Sequence, residues 1–353
     1  MANECGVRLE QPTTRERQLL VRFLATRILA AIPLLLVLSL VTFIIIKAQP
    51  GDYADYIKAM LMSQGGATDE MAQRQADAYR IAHGLNLPLP LQYFNWIWGI
   101  ITRFDFGQSL YYNRPVGDVV AERLPRTILL ALTCHILAST IGITLGIIAA
   151  TRQYSWIDTL FGFISFLGMT VPRFLMALII IYILAFKLNV QEIGSFFSAK
   201  YGGAPWSWDK FVDLVNHIWP VIFIATFGGL AYNMRVMRAN LLDVLNAQYV
   251  ETARAKGLSN TAVILKHAVP NALHPLVAYQ GVVLPYMLTG EIEVAIVFGL
   301  ATVGPAIVGS LGVGDVWVTA TFMLVLAATL IAGNIISDVL LAVLDPRIRL
   351  GSN

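Results

Sequence analysis

The chain has 353 residues, 57% hydrophobic and only 13% charged. Soluble domains carry about 25% charged residues, so this deficit excludes an ordinary soluble protein and points to the membrane. The net charge of +3 is too small to argue for nucleic acid as a partner. Two cysteines, Cys5 and Cys134, without CxxC or Cys/His spacing, argue against a disulfide framework or a metal site.

A bilayer core of about 30 Å needs roughly 20 apolar residues as helix. Windows of that kind fall at residues 28–46, 127–150, 157–186, 218–234, 276–297 and 318–344. The expected fold is therefore an all-α integral membrane protein with about six spans. The third window holds Pro172 and Arg173 and reads as one helix kinked at Pro172, with two short re-entrant helices as the alternative. The first run is too long for a signal-peptide core, and Lys47, Gln49 and Pro50 spoil a cleavage site, so it is expected to stay.

Lys and Arg in the flanks set the orientation. Arg15, Arg17, Arg22 and Arg27 precede span one, and Arg152 follows span two. Arg235, Arg238, Arg254, Lys256 and Lys266 lie between spans four and five, and Arg347 and Arg349 follow span six. Both termini are thus expected in the cytoplasm. The chain divides into a cytoplasmic segment (1–27), a first span (28–46), an outer insertion (47–126), a five-helix core (127–344) and a cytoplasmic tail (345–353).

Within the insertion, residues 54–83 read as a helix ended by Gly84 and Pro88. The run QYFNWIWGIITRFDFGQSLYY (92–112) reads as an amphipathic helix on the membrane surface, with a direct ligand role as the alternative.

Between spans four and five lies ETARAKGLSNTAVILKHAVP (251–270). Residues 245–256 are good helix formers, and Ala247, Ala253 and Ala255 leave an approachable surface. Gly257 suits a left-handed C-cap, and Ser259 or Asn260 can cap a second helix that is expected to break near Pro270. Helix, tight turn, helix at the membrane surface suits docking into another protein's groove. A plain solvated loop obeying the charge rule is the alternative.

The order Glu251, Thr252, Ala253, three residues, Gly257, nine residues, then HAVP ending at Pro270 resembles the EAA loop of ABC-importer permeases. Thr252, His267 and Val269 depart from its consensus. TARAKGL (252–258) and NAL (271–273) resemble the dipeptide/oligopeptide branch of that family. So do RFDFGQSL (103–110), RLPRT (123–127) and DPRIR (345–349), so the resemblance spans nearly the whole chain. ATVGP (301–305) stands where the family often has a Pro-Gly-x-Gly turn.

The resemblance implies a type I ABC-importer permease fold in a bacterial inner membrane, with a periplasmic insertion. It implies one half of a pore, a second permease, two ATPase subunits and a periplasmic binding protein. ATP and Mg would be bound by the ATPases, with no cofactor on this chain. The EAA loop (245–274), with Glu251, Thr252, Ala253, Arg254, Ala255, Lys256, Gly257 and Pro270, would couple ATP-driven closure to alternating access. Peptides are the implied cargo, with oligosaccharides, glycosides or nickel as alternatives in the same family.

The sequence shows no GxxxxGK[ST] and no catalytic triad spacing, so no enzyme activity of its own is expected. A stand-alone secondary transporter would predict repeated halves, and no internal repeat is evident. Charges inside spans are functional candidates because burying them is costly. Arg173, Glu291 and Glu293 are candidates for the translocation pathway or its gate. Asp338 lies in the last span. His135 reads more simply as a helix–helix contact.

Overall fold

The computed structural model describes residues 14–65, 67–190, 192–286 and 292–344. Helix α1 (Thr14–Lys47) is apolar nearly all round through residues 28–46 and buries little beyond Ser39 and Phe43. A helix of that kind faces lipid. The insertion follows as α2 (Tyr53–Ser63), α3 (Asp69–Ala82) and α4 (Leu89–Arg103). The single helix expected over 54–83 is two. Gly65 takes φ +74, and Thr68 then caps α3 by accepting from the Met71 N–H. A left-handed glycine ends one helix and a threonine starts the next. A short ribbon pairs Gln108–Ser109 with Arg114–Pro115.

The centre is a parallel pair, α5 (Val116–Thr151) and α8 (Trp208–Leu245). In the bilayer lipid tails are as apolar as leucine, so close van der Waals contact carries helix association. Gly142 and Gly146, four apart on α5, supply it. A Cβ on Gly142 would lie 2.6 Å from the Leu230 carbonyl oxygen, and one on Gly146 would lie 2.7 Å from that of Met234. At about 1.5 Å per residue, α8 (38 residues) is near 57 Å long, well beyond the about 30 Å of a bilayer core.

Helix α6 (Trp156–Thr170) runs antiparallel to α8. Asp158 accepts two hydrogen bonds from Arg238 (2.6 and 2.8 Å), and Ser165 donates to the Ala231 carbonyl. Helix α7 (Arg173–Tyr182) leaves α6 at 101°. The expected kinked helix is instead a broken one. A residue before proline is pushed out of the helical region, and Val171 and Pro172 are both extended (ψ 122° and 134°). The pair still links the two ends of the bundle, since α7 packs through Ala177 beside Leu130 and Val221.

Next come α9 (Gln248–Ala255), short α10 (Asn260–Ala262) and a π turn (Val263–Ala268). Then follow α11 (Val269–Tyr286), α12 (Ile292–Val297), α13 (Val303–Gly312) and α14 (Val316–Leu344). Four described helices are long and apolar enough to cross a membrane, and the broken pair makes up to five. The window at 276–297 contains residues 287–291, outside the described set. The DPRIR segment also lies outside it.

Candidate functional site

Two places gather the residues singled out above: the loop around α9 and a cleft inside the bundle. At the loop, Val250 and Ala253 are buried against Met237, Leu241, Val263, Ala268 and Leu276. Glu251, Thr252, Arg254, Ala255, Lys256 and Gly257 stay exposed. Glu251 makes no ion pair among the described residues. One face of α9 is therefore bolted to α5, α8 and α11, and the other is free to dock.

The helix expected over 245–256 is interrupted, because α8 ends at Leu245 and Ala247 is extended (ψ 143°) before α9 begins. Gly257 takes the left-handed conformation expected of it (φ +76), and no atom lies within 4 Å of where its Cβ would be. Ser259 accepts from the Ala262 N–H, as a capping serine should.

The break expected at Pro270 does not occur. The chain passes from the π turn directly into α11. Proline lacks an N–H and crowds the carbonyl four residues back. A π turn just before it widens the ladder and absorbs both defects. The loop is thus continuous with α11, which carries Tyr279 and Val283 into the cleft.

The cleft, about 710 Å³, is lined from α5, the α6–α7 break, α8, α11 and α12. It brings Arg173 and Glu293 together with His135, Tyr232, Asn233 and Tyr279. Arg173 sits at the first turn of α7 with its guanidinium against Gly228, where a Cβ would be 3.2 Å from it. The rings of Tyr232 and Tyr279 stand 4.6 Å apart. A mixed polar lining at mid-bundle suits passage of a polar solute. Glu291 and the side chain of Asp338 lie outside what the structure describes.

The family model described as "Binding-protein-dependent transport system inner membrane component" matches residues 142–350, and its N-terminal companion matches residues 20–131. The chain belongs to this family of ABC-transporter permeases. The "Oligopeptide transport system permease protein AppB" of Bacillus subtilis is 33% identical over 93% of this chain and 99% of its own length. A "Putative peptide transport system permease protein" of Brucella abortus is 33% identical over 92% of this chain and 97% of its own. A "Probable peptide ABC transporter permease protein" of Sinorhizobium fredii is 28% identical over 93% and 99%. The fold is accordingly the all-α type I ABC permease fold.

In this permease RLPRT, ATVGP and RFDFGQSL gather at the end of the bundle opposite α9. RLPRT touches ATVGP: the Thr127 hydroxyl accepts from the Val303 N–H (3.0 Å), and Arg123 donates to the Thr302 carbonyl (3.2 Å). RFDFGQSL touches the turn before α14, where Ser109 Oγ and the Tyr111 N–H both donate to Asp315 (2.8 and 2.9 Å). Gly314 (φ +75) lets that turn lie on the Asp52 backbone, 2.8 Å from where its Cβ would be.

Sequence reading missed Asp315, since a lone acid in a loop looks like a solvated one. It missed the Asp158–Arg238 pair too, because partners 80 residues apart leave no local signal. The GxxxG spacing of Gly142 and Gly146 was a signal available in the sequence.

Burial pushes the Asp315 carboxyl above the ordinary carboxylate range, against hydrogen bonds from Tyr111, Ser109 and Val318. An acid whose native pKa is raised favours the folded state most below its unfolded value, about 3.9. That contribution is lost as pH rises through the raised value. The melting temperature of the wild type, measured against Asp315→Asn, is expected to fall as pH rises above about 4. A difference that stays level with pH rules this out.

Proposed function

We propose that this chain is the membrane permease subunit of an ATP-driven importer of peptides of the dipeptide/oligopeptide class. It sits in a bacterial inner membrane with α9 and both termini in the cytoplasm and the 47–126 insertion in the periplasm. A second permease completes the pore, two ATPase subunits dock below, and a periplasmic binding protein delivers cargo above. ATP and Mg belong to the ATPases, and this chain binds no cofactor and catalyses no reaction.

The observation that carries the reading is the exposed face of α9, mounted on a buried core that it shares with α11. A push on Glu251–Lys256 moves a packed unit and not a loose loop. From Val269 to Tyr279 along α11 is about 15 Å at helical rise. Movement of the docked loop therefore reaches the cleft through one rigid element, the kind of rigid-body coupling that alternating access requires. Arg173 and Glu293, on separate elements around the cleft, line the path. The peptide assignment is supported by the relatives, which are named as permeases of peptide transport systems.

The test is to purify the chain with its companions, reconstitute them in liposomes with the binding protein, and follow uptake of labelled di- and oligopeptides, sugars and nickel. ATP-dependent peptide uptake is expected. Uptake of a sugar or nickel alone replaces the cargo. Uptake by the isolated chain without ATP overturns the importer reading in favour of a secondary transporter.

A further inference from the structure

Helix α4 has two faces of different character. Tyr93, Trp96, Ile97 and Ile100 pack on α1 and on the start of α14. Trp96 stacks on Phe43 at 5.9 Å, and the Tyr93 hydroxyl reaches the Ser39 hydroxyl at 2.8 Å. The opposite face is open and apolar: Leu91 is 51% exposed, Phe94 61%, Trp98 55% and Ile101 63%. At about 100° per residue these four fall within an arc of about 80°. Thr102 and Asn95 border the arc along one side, and Arg103 ends the helix. Phe104 extends the surface in a left-handed conformation (φ 54), 81% exposed.

Depth decides what covers this face. Lys47 is the first charge at the outer end of α1. Phe43 lies four residues before it and Ser39 eight, or about 6 and 12 Å along the helix. Helix α4 therefore touches α1 below its polar end, at the level of the acyl chains. Leu40, Val41, Ile44 and Ile45, on the same stretch of α1, are exposed as well. The open arc carries no charge, which fits hydrocarbon and not an anionic headgroup or a polar protein.

We propose that α4 is embedded in the outer leaflet, with Leu91, Phe94, Trp98 and Ile101 against lipid acyl chains. It then acts as a lipid-seated brace on the first two turns of α14, where Val316 and Ala320 pack against it. Apolar surface on one side and a polar edge on the other is the form of an interfacial helix. This inference does not depend on the cargo.

Spin labels at Phe94→Cys, Trp98→Cys and Ile101→Cys test it, with Cys5→Ser and Cys134→Ala as background. The full chain is held in nanodiscs with the subunits that purify with it. Collision with oxygen is compared with collision with a water-soluble nickel chelate. The depth parameter is expected to be positive at all three sites and negative at Met71→Cys, an exposed position on α3. All three sites are exposed, so the labels themselves do not disturb packing. A negative value at 94, 98 and 101 places the face in water and overturns the proposal. Low collision with both reagents means that another protein covers it, and overturns it equally.

Discussion

Gly257→Val is expected to uncouple uptake from ATP hydrolysis while the chain reaches the membrane at wild-type levels. The glycine holds φ +76 with nothing within 4 Å of its missing Cβ. Crowding therefore plays no part, and only the backbone is strained. A left-handed conformation costs an L-residue about 1–2 kcal/mol, and a β-branched one most of all. The turn can relieve that strain only by re-aiming α9 relative to α10, and both carry the exposed docking surface. The buried side, through Val250, Ala253 and Val263, keeps its partners. A cost near 1.4 kcal/mol is about a tenfold shift between states, and a mis-aimed handle loses more when it must both dock and move. Asn tolerates the left-handed region better than Ala or Val. The expected order of ATP-dependent uptake is therefore Gly, then Asn, then Ala, then Val. Normal uptake by a well-expressed Gly257→Val chain would sink the coupling role of this turn.

Gly146→Leu is expected to leave no stably folded permease. Here the backbone is ordinary helix and space is the constraint. A Cβ would lie 2.7 Å from the Met234 carbonyl oxygen and from the Met237 Cβ, and 3.2 Å from the Arg238 nitrogen. Two of those atoms are backbone in the opposing helix and cannot rotate away. Overpacking costs typically about 1–3 kcal/mol, so Gly146→Ala alone should lower the melting temperature. A leucine must push α5 and α8 apart along their whole contact, and the cleft between them goes with it. Gly162 on α6 is the matched control: it has no atom within 4 Å of its Cβ position. Gly162→Ala should melt as the wild type does, or slightly higher, because alanine is the better helix former. The readout is melting and monodispersity of purified chains. A Gly146→Leu chain that melts with the wild type contradicts tight α5–α8 packing.

The turn around Gly257 was legible because its determinants are local. Gly257 takes the expected conformation, and Ser259 caps as expected. Pro270 was misread for the opposite reason. Its effect depends on what the preceding turn does, and the π turn over Val263–Ala268 spares the helix. Pro172 also stayed ambiguous in the sequence. Whether a proline bends a helix or interrupts it depends on the residue before it and on what receives the next helix. Here Val171 is extended and α7 packs against Leu130, Val221 and Val294.

The sequence by itself determined that this is a membrane protein, where most of its long apolar helices fall, and where the EAA-like turn lies. Hydrophobicity over about 20 residues and turn chemistry over a few are properties of neighbours in the chain. Tertiary structure alone decided that Arg173 and Glu293 share a cleft, that Asp158 holds Arg238, and that Asp315 receives the RFDFGQSL loop. Those contacts join residues 80 to 206 positions apart. No local pattern encodes such a pairing, because it exists only once helices have packed and brought distant polar groups out of water together.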